Sequence, residues 1–117
     1  EIYRINPDKR TVEKIFTVSD DASYSHLEMN ASKDTLYILN RDVWRMAADH
    51  DTFPSQPFIR NRNSRYYGLA VDPATSHIYI ADAIDYVQPG KIYRFDPDGT
   101  PVDTLTAGIN PGAFCFQ

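Results

Sequence analysis

The sequence predicts an all-β fold made of repeated antiparallel sheets, and its composition, its turn residues and an internal repeat support this prediction. Aromatic residues make up 13% of the 117 residues. Val, Ile and Thr are also common, and these residue types favour a pleated, half-buried surface. Eight Pro and five Gly fall between short apolar runs, where they favour turns. No stretch shows the apolar period of roughly 3.6 residues that predicts an amphipathic helix.

An internal repeat divides the chain into similar units. The segment IYRINPD at 2–8 recurs as IYRFDPD at 92–98, and a weaker copy, VWRMAAD, lies between them at 43–49. A second block, at 26–40, recurs at 68–82. The copies are about 41 to 49 residues apart, and a period of this length with four short strands per unit is typical of β-propeller blades.

The repeat predicts a partial β-propeller of four-stranded antiparallel blades, with about two and three-quarter blades in this chain. Its outer half-blade is expected at 1–18, two blades at 26–59 and 68–106, and the inner strand of a further blade at 112–117. The outer strand of the first complete blade is expected at 53–59. Because propellers contain about four to eight blades, the remainder of the ring is expected from residues outside this chain or from another chain.

Residues 66–108 carry a family resemblance. The segments YGLAVDP at 67–73, HIYIAD at 77–82 and KIYRFDPDG at 91–99 resemble a blade of the NHL-type propeller superfamily. The tail at 107–116 is similar to the C-terminal end of YncE-like surface layer propellers, which are exported proteins of Bacteroides-type bacteria. The resemblance implies an extracytoplasmic location, in the periplasm or at the bacterial cell surface. It does not imply an activity.

Charge and motif content narrow the classes of function. The net charge of −4 predicts no nucleic-acid partner, because nucleic-acid binding domains are typically basic. No apolar run approaches the ~18–20 residues of a membrane-spanning helix. The single cysteine, Cys115, lies in an apolar run and is expected to be buried. The chain contains none of the common phosphate, hydrolase or metalloprotease motifs, and neither a cofactor nor a metal is predicted.

Residues that recur at the same place in each unit are expected to be structural. Asn40 and Asp82 end equivalent strands and are expected to cap turns. Two further sets recur. The arginines Arg4, Arg45 and Arg94 are expected to pair within or between blades. The aromatic residues Tyr3, Trp44 and Tyr93 are expected to pack in the core.

Residues that break the repeat are the candidates for ligand binding. In a propeller, the loops that enter the innermost strand and those that link the second and third strands lie on one face, here called the rim, and such loops commonly carry function. Tyrosines there suit stacking against a glycan or protein ligand, and arginines suit carboxylates. A solvated loop without a ligand is the alternative. The ligand-binding candidates are Tyr24, Arg60, Arg62, Arg65, Tyr66, Tyr67, Asp85 and Tyr86.

The sequence favours a non-enzymatic binding propeller, and two other functions stay open. One, implied by the resemblance to lyase-like NHL propellers, is a lyase-type or metal-dependent enzyme centred on the propeller channel. His26 would be its base, and Glu28 or Asp21 a partner or metal ligand. His26 stands where NHL-type blades usually have Gly, but a lone histidine at such a position is more often structural. The other is a scaffold without a small-molecule site.

Overall fold

The structure, a computed structural model, describes residues 2–16, 26–61, 64–85, 87–108 and 114–116. Within these ranges it contains strands and turns without a helix, as predicted, and therefore no helix that could cross a membrane. The strands are β1 (Ile2–Asn6), β2 (Thr11–Phe16), β3 (His26–Met29), β4 (Thr35–Asn40), β5 (Asp42–Ala47), β6 (Tyr66–Val71), β7 (Ile78–Asp82), β8 (Lys91–Phe95) and β9 (Pro101–Thr106).

These strands form three antiparallel sheets that follow one another along the chain. Sheet A pairs β1 with β2, sheet B has the order β3-β4-β5, and sheet C has the order β6-β7-β8-β9. The innermost strands of sheets B and C, β3 and β6, lie against each other. Each sheet is therefore built from consecutive strands, as the repeat predicts.

Polar side chains close the hairpin turns. Asn6 Oδ1 accepts hydrogen bonds from the backbone N–H groups of Asp8 and Lys9, at 3.0 and 3.1 Å. Asp72 Oδ1 accepts one from the N–H of Ala74 at 2.8 Å. These carboxylate and amide oxygens satisfy backbone donors that a tight turn leaves without a strand partner.

Apolar side chains form one layer between each pair of neighbouring sheets, because side chains alternate between the two faces of a strand. The layer between sheets A and B has Phe16, Ile38 and Met46 at its centre. The larger layer between sheets B and C contains Tyr37, Leu39, Val43, Ile59, Leu69, Val71, Ile78, Ile80 and Phe95.

Sheet B lacks the outer strand that the sequence predicts at 53–59. Of this segment, Ile59 forms an isolated bridge to Val43, and the N–H of Phe58 donates to the Val43 carbonyl oxygen at 2.8 Å. Pro54 and Pro57 lie in the same segment, and proline is disfavoured in a strand because it has no N–H group to donate. The edge of β5 beyond Val43 therefore stays open among the described residues.

Two of the repeated arginines, Arg4 and Arg45, connect their sheet to the next one. Arg4 of β1 donates to the carbonyl oxygen of His50 at 3.2 Å and to the carboxylate of Asp51 at 2.8 Å. Arg45 of β5 donates to the carbonyl oxygen of Pro97 at 3.1 Å. The structural role predicted for these two arginines is confirmed, since both reach the turn between the third and outer positions of the following sheet.

The segment 114–116 packs on the face of sheet C that points away from sheet B. The rings of Phe114 and Phe116 lie 6.2 and 5.3 Å from that of Tyr79. Cys115 is exposed, so the prediction of a buried thiol is wrong. Neighbouring side chains of an extended segment point in opposite directions, and here the two phenylalanines take the inward side. The three residues form no strand, and the remainder of 112–117 lies outside the described residues.

Candidate functional site

The rim is organised around the buried carboxylate of Asp82, a residue that is 3% exposed. Its Oδ1 accepts hydrogen bonds from the N–H groups of Arg65, at 3.0 Å, and Ile84, at 2.8 Å. Its Oδ2 accepts one from the hydroxyl group of Tyr93 at 2.9 Å. The prediction that Asp82 caps a turn is confirmed, and its carboxylate joins the entry to β6, the loop after β7 and the strand β8.

The Tyr93 side chain is held as a neutral donor beneath the rim. Burial raises the pKa of Tyr93 to about 12, and its hydrogen bond to Asp82 acts in the same direction. The ring of Tyr66 lies 6.0 Å from that of Tyr93, with an angle of 59° between their planes, a tilted arrangement that aromatic pairs favour. The candidate Tyr66 is therefore positioned by a core residue.

Asn61 connects the turn between β4 and β5 to the segment that enters β6. Its Nδ2 donates to the carbonyl oxygens of Arg41 and Ser64, at 2.9 and 3.0 Å. Its Oδ1 accepts the N–H of Ser64 at 2.7 Å, and its own N–H donates to Asp42 Oδ1 at 2.7 Å. The Asn61 amide is thus a positioning group for the backbone on both sides.

A polar cavity of about 250 Å³ lies at this junction, lined by Arg41, Asn61, Ser64 and Arg65. Because the Asn61 amide bonds to the backbone, the charge that lines this cavity comes from its two arginines. Guanidinium groups form strong, directional hydrogen bonds to carboxylate, sulfate or phosphate. The cavity is therefore suited to an anionic group. Arg41 has a φ of 60°, a backbone angle that residues with a Cβ atom rarely adopt.

The candidate arginines do not all converge on this cavity. Arg60 Nη2 donates to Gln56 Oε1 at 2.7 Å. Together with Tyr66, Arg60 lines a separate groove of about 510 Å³ on the outer side, between Pro57 and Pro101. Arg65 lies in the rim cavity, so the structure separates two arginines that the sequence grouped in one loop.

The candidate Asp85 uses its carboxylate within its own loop. Its Oδ1 accepts the N–H groups of Val87 and Gln88, both at 3.0 Å. These hydrogen bonds, that of Gln88 first, lower the pKa of Asp85 below its usual value of 3.8. The carboxylate therefore shapes the loop between β7 and β8.

Four further candidates are placed as follows. Tyr67 is half-buried with a buried hydroxyl group, at a bulge in the pairing of β6 with β7. Tyr24, Arg62 and Tyr86 lie outside the described residues.

The enzyme candidates His26 and Glu28 lie on the same face of β3. They pair with Leu39 and Tyr37 of β4, whose side chains belong to the layer against sheet C. His26 Nδ1 is buried and has no hydrogen-bond partner among the described residues. The described part of the chain contains no group of three His, Cys, Asp or Glu side chains that could hold a metal ion.

The rim cavity includes three residues that are not among the sequence candidates: Arg41, Asn61 and Ser64. The topology rule that selected the loop at 60–67 applies equally to Arg41, because it lies between the second and third strands. Arg41 and Asp42 form a short turn, so no unusual loop length distinguishes Arg41 in the sequence. Asn61 and Ser64 act through backbone hydrogen bonds that sequence alone does not reveal.

Comparison with known proteins supports the fold. No protein-family model and no curated protein matches this chain. A solved structure does match: a "Quinonprotein alcohol dehydrogenase-like protein" from Bacteroides thetaiotaomicron aligns with a TM-score of 0.69 and 15% identity, over 86% of this chain. The fold is that of a β-propeller. This chain spans 27% of the length of that protein, and at this identity the likeness shows the fold alone.

The propeller fold gives the three sheets their places in the ring. Sheets B and C are successive blades, and sheet A holds the third and outer strands of the preceding blade. The rim cavity lies where the turn between the second and third strands of blade B meets the loop that enters blade C. Loops at this end of a propeller are free to vary while the blades stay fixed.

Proposed function

We propose that this propeller is an extracytoplasmic binding protein whose rim binds an anionic glycan. The observation that carries the proposal is that Arg41 and Arg65 line one polar cavity. Asn61 bonds to the backbone of Arg41, and Asp82 bonds to the backbone of Arg65. The backbone of both arginines is thereby fixed before a ligand arrives, which lowers the entropic cost of binding. The extracytoplasmic setting follows the resemblance of the tail to exported YncE-like surface layer propellers.

The chemistry of the rim matches a sugar that carries a carboxylate or sulfate group. The guanidinium groups suit the anion. Tyr66 follows Arg65 directly in the chain and offers aromatic surface for stacking in the separate groove that also contains Arg60. Three further candidates from the sequence, Tyr24, Arg62 and Tyr86, are proposed to extend the contact.

A glycan array followed by titration calorimetry tests the proposal. Uronic-acid and sulfated oligosaccharides should bind, and their affinity should fall as salt is raised. Arg41→Gln and Arg65→Gln should each weaken binding about tenfold or more, because each removes charged hydrogen bonds. Lys33→Gln, which removes one charge from the turn between β3 and β4 at the opposite end of the blade, is the matched control.

Two results would reject the glycan proposal. If both rim variants bind like the parent, the rim carries no anion site and the scaffold hypothesis is favoured. If acidic peptides bind at the rim and anionic sugars do not, the ligand is a protein.

A channel-centred enzyme is the second candidate, because His26 Nδ1 is buried without a hydrogen-bond partner among the described residues. An unpaired ring nitrogen can act as a base where a substrate reaches it. His26→Gln should then abolish turnover in a substrate screen without lowering glycan affinity. Lowered thermal stability with no activity to lose would show that His26 is a packing residue.

A further inference from the structure

An arginine–carboxylate pair recurs between the third and outer strands of two sheets. In sheet A, Arg4 Nε lies 3.4 Å from Glu13 Oε2. In sheet C, Arg94 Nη2 lies 2.7 Å from Asp103 Oδ2, and Arg94 Nε donates to Oδ1 of the same carboxylate at 3.0 Å. In both sheets the third strand supplies the arginine and the outer strand supplies the acid.

Arg45 is the equivalent arginine of sheet B, and it lacks this partner. No carboxylate oxygen of the described residues lies within 4.0 Å of its side-chain nitrogens. The Arg45 guanidinium lies 3.9 Å over the ring of Phe58 and donates to the carbonyl oxygen of Pro97. A guanidinium group has several N–H donors, so donors remain for a further acceptor. Sheet B is also the sheet in which the predicted outer strand is absent.

The edge of β5 beside Arg45 offers backbone groups as well. Val43 exchanges hydrogen bonds of 2.9 and 3.0 Å with Ile59, so its backbone groups point away from β4. Because this direction alternates along an antiparallel strand, the backbone groups of Arg45 and Ala47 also point outward. The Ala47 carbonyl accepts the N–H of His50 at 3.1 Å. The Arg45 N–H and carbonyl and the Ala47 N–H have no partner among the described residues.

A cleft of about 750 Å³ lies along this edge. It is at the end of the blades opposite the rim cavity, and the two cavities share no lining residue. The wall of the cleft combines aromatic and polar side chains, among them Tyr37, Arg45, His50, Thr52 and Phe53. Such a wall can receive alternate side chains of an extended chain that pairs with a strand edge.

We propose that this cleft binds an extended acidic segment of a partner polypeptide. The segment pairs with the edge of β5 at Arg45 and Ala47, and its Asp or Glu carboxylate meets the Arg45 guanidinium. The bound segment would pair with β5 as β9 pairs with β8. Its carboxylate would bind Arg45 as the carboxylate of Asp103 binds Arg94. The proposal is independent of the glycan proposed at the rim.

The sequence of β9 supplies the probe. The peptide TPVDTLTA, which copies residues 100–107, is titrated into the isotope-labelled chain, and amide shifts are followed by NMR. The amides of Arg45 and Ala47 are expected to shift. A peptide with Asn in place of the residue that copies Asp103 is expected to bind about tenfold more weakly, since it loses a charged hydrogen-bond pair.

An Arg45→Gln variant completes a double-mutant cycle with the two peptides. Both peptides should bind this variant equally weakly, because the coupling energy belongs to the Arg45–carboxylate pair. The substitution in the peptide tests the same pair without altering the protein, so the cycle stays informative if Arg45→Gln folds poorly.

Several outcomes would overturn the proposal. The proposal is wrong if the Asp and Asn peptides bind the parent equally, or if neither shifts Arg45 and Ala47 at about 1 mM. Shifts confined to Asn61 and Ser64 would place the peptide at the rim. Self-association of the peptide-free chain in light scattering, if lost in Arg45→Gln, would show that a second copy of this chain occupies the cleft.

Discussion

The hydroxyl group of Tyr93 donates a 2.9 Å hydrogen bond to the carboxylate of Asp82, and this bond joins the interior of blade C to its rim. The same carboxylate holds the backbone N–H groups of Arg65 and Ile84. The shape of the rim cavity therefore depends on a hydrogen bond made inside the blade.

Removing the Tyr93 hydroxyl is expected to destabilise the chain. Tyr93→Phe leaves one oxygen of a buried carboxylate without its donor, which costs about 1–3 kcal/mol. Urea unfolding at neutral pH measures this change. Tyr3→Phe removes a hydroxyl from the equivalent aromatic residue of sheet A, which is 51% exposed, and should change stability by less than about 0.5 kcal/mol. Equal effects of the two substitutions would contradict the importance of the Asp82 bond.

Tyr93 also predicts a loss of stability in alkali. Its pKa is raised from 10.0 to about 12 in the folded chain, so between these values the folded state binds more protons than the unfolded state. Stability from this group is complete below pH 10.0, and it is lost as the pH rises toward about 12. In Tyr93→Phe this component should be missing. Parallel curves of unfolding midpoint against pH for the two proteins would disprove it.

Arg41→Gly is expected to separate stability from binding. Glycine adopts the φ of 60° at this position without strain, so the variant should gain about 1 kcal/mol of stability. It should lose affinity for anionic sugars because a guanidinium group is removed from the rim cavity. Lys33 has the same φ of 60° in a turn at the opposite end, so Lys33→Gly should gain stability with affinity unchanged. Thermal melts and calorimetry distinguish the two variants.

Gly99→Ala should weaken the contact between blades B and C. Gly99 has a φ of +91°, and an added Cβ would lie 3.0 Å from Cζ of Phe58, the ring on which Arg45 stacks. We expect a loss of about 1–3 kcal/mol in urea unfolding from strain and overpacking together. Gly108→Ala is the control, because its added Cβ meets nothing within 4 Å. A neutral Gly99→Ala would show that Phe58 yields easily.

The pair between Arg4 and Asp51 predicts a loss of stability in acid. The Arg4 guanidinium, chiefly through its hydrogen bond, lowers the pKa of Asp51 below 3.8. The contribution is therefore present above pH 3.8 and is lost as the pH falls through the lower folded value. Arg4→Gln should flatten this acid limb of the thermal midpoint curve, and Arg10→Gln in the neighbouring turn should keep it. An unchanged acid limb in Arg4→Gln would mean that the pair adds nothing.

Much of the fold could be predicted from the sequence because the repeat fixes strand order and side-chain alternation together. Equivalent positions of Arg4 and Arg45 predicted equivalent roles, and both reach the following blade. The repeat predicts an outer strand at 53–59 that the structure lacks, because Pro54 and Pro57 have no N–H group to donate to the sheet. A missing backbone donor outweighs a favourable position in a pattern.

The candidate site was harder to predict than the fold. The topology rule brings these loops to one end of the blades, but which side chains share a cavity depends on where individual backbone bonds form. Arg60 and Arg65 lie in the same loop, yet they line different cavities. The Asn61 amide joins Arg41 to Ser64, the neighbour of Arg65, a connection across distant parts of the chain that spacing does not encode.

The links between blades have a consequence for how such a ring can evolve. Arg4 and Arg45 bond to carbonyl oxygens of the following blade, at His50 and at Pro97. Every residue carries a carbonyl group, so the receiving blade can change its side chains at these points without breaking the link. A duplicated or exchanged blade would still offer a carbonyl oxygen to the arginine of the preceding blade. Neighbouring blades could therefore diverge in sequence and still stack in the same way.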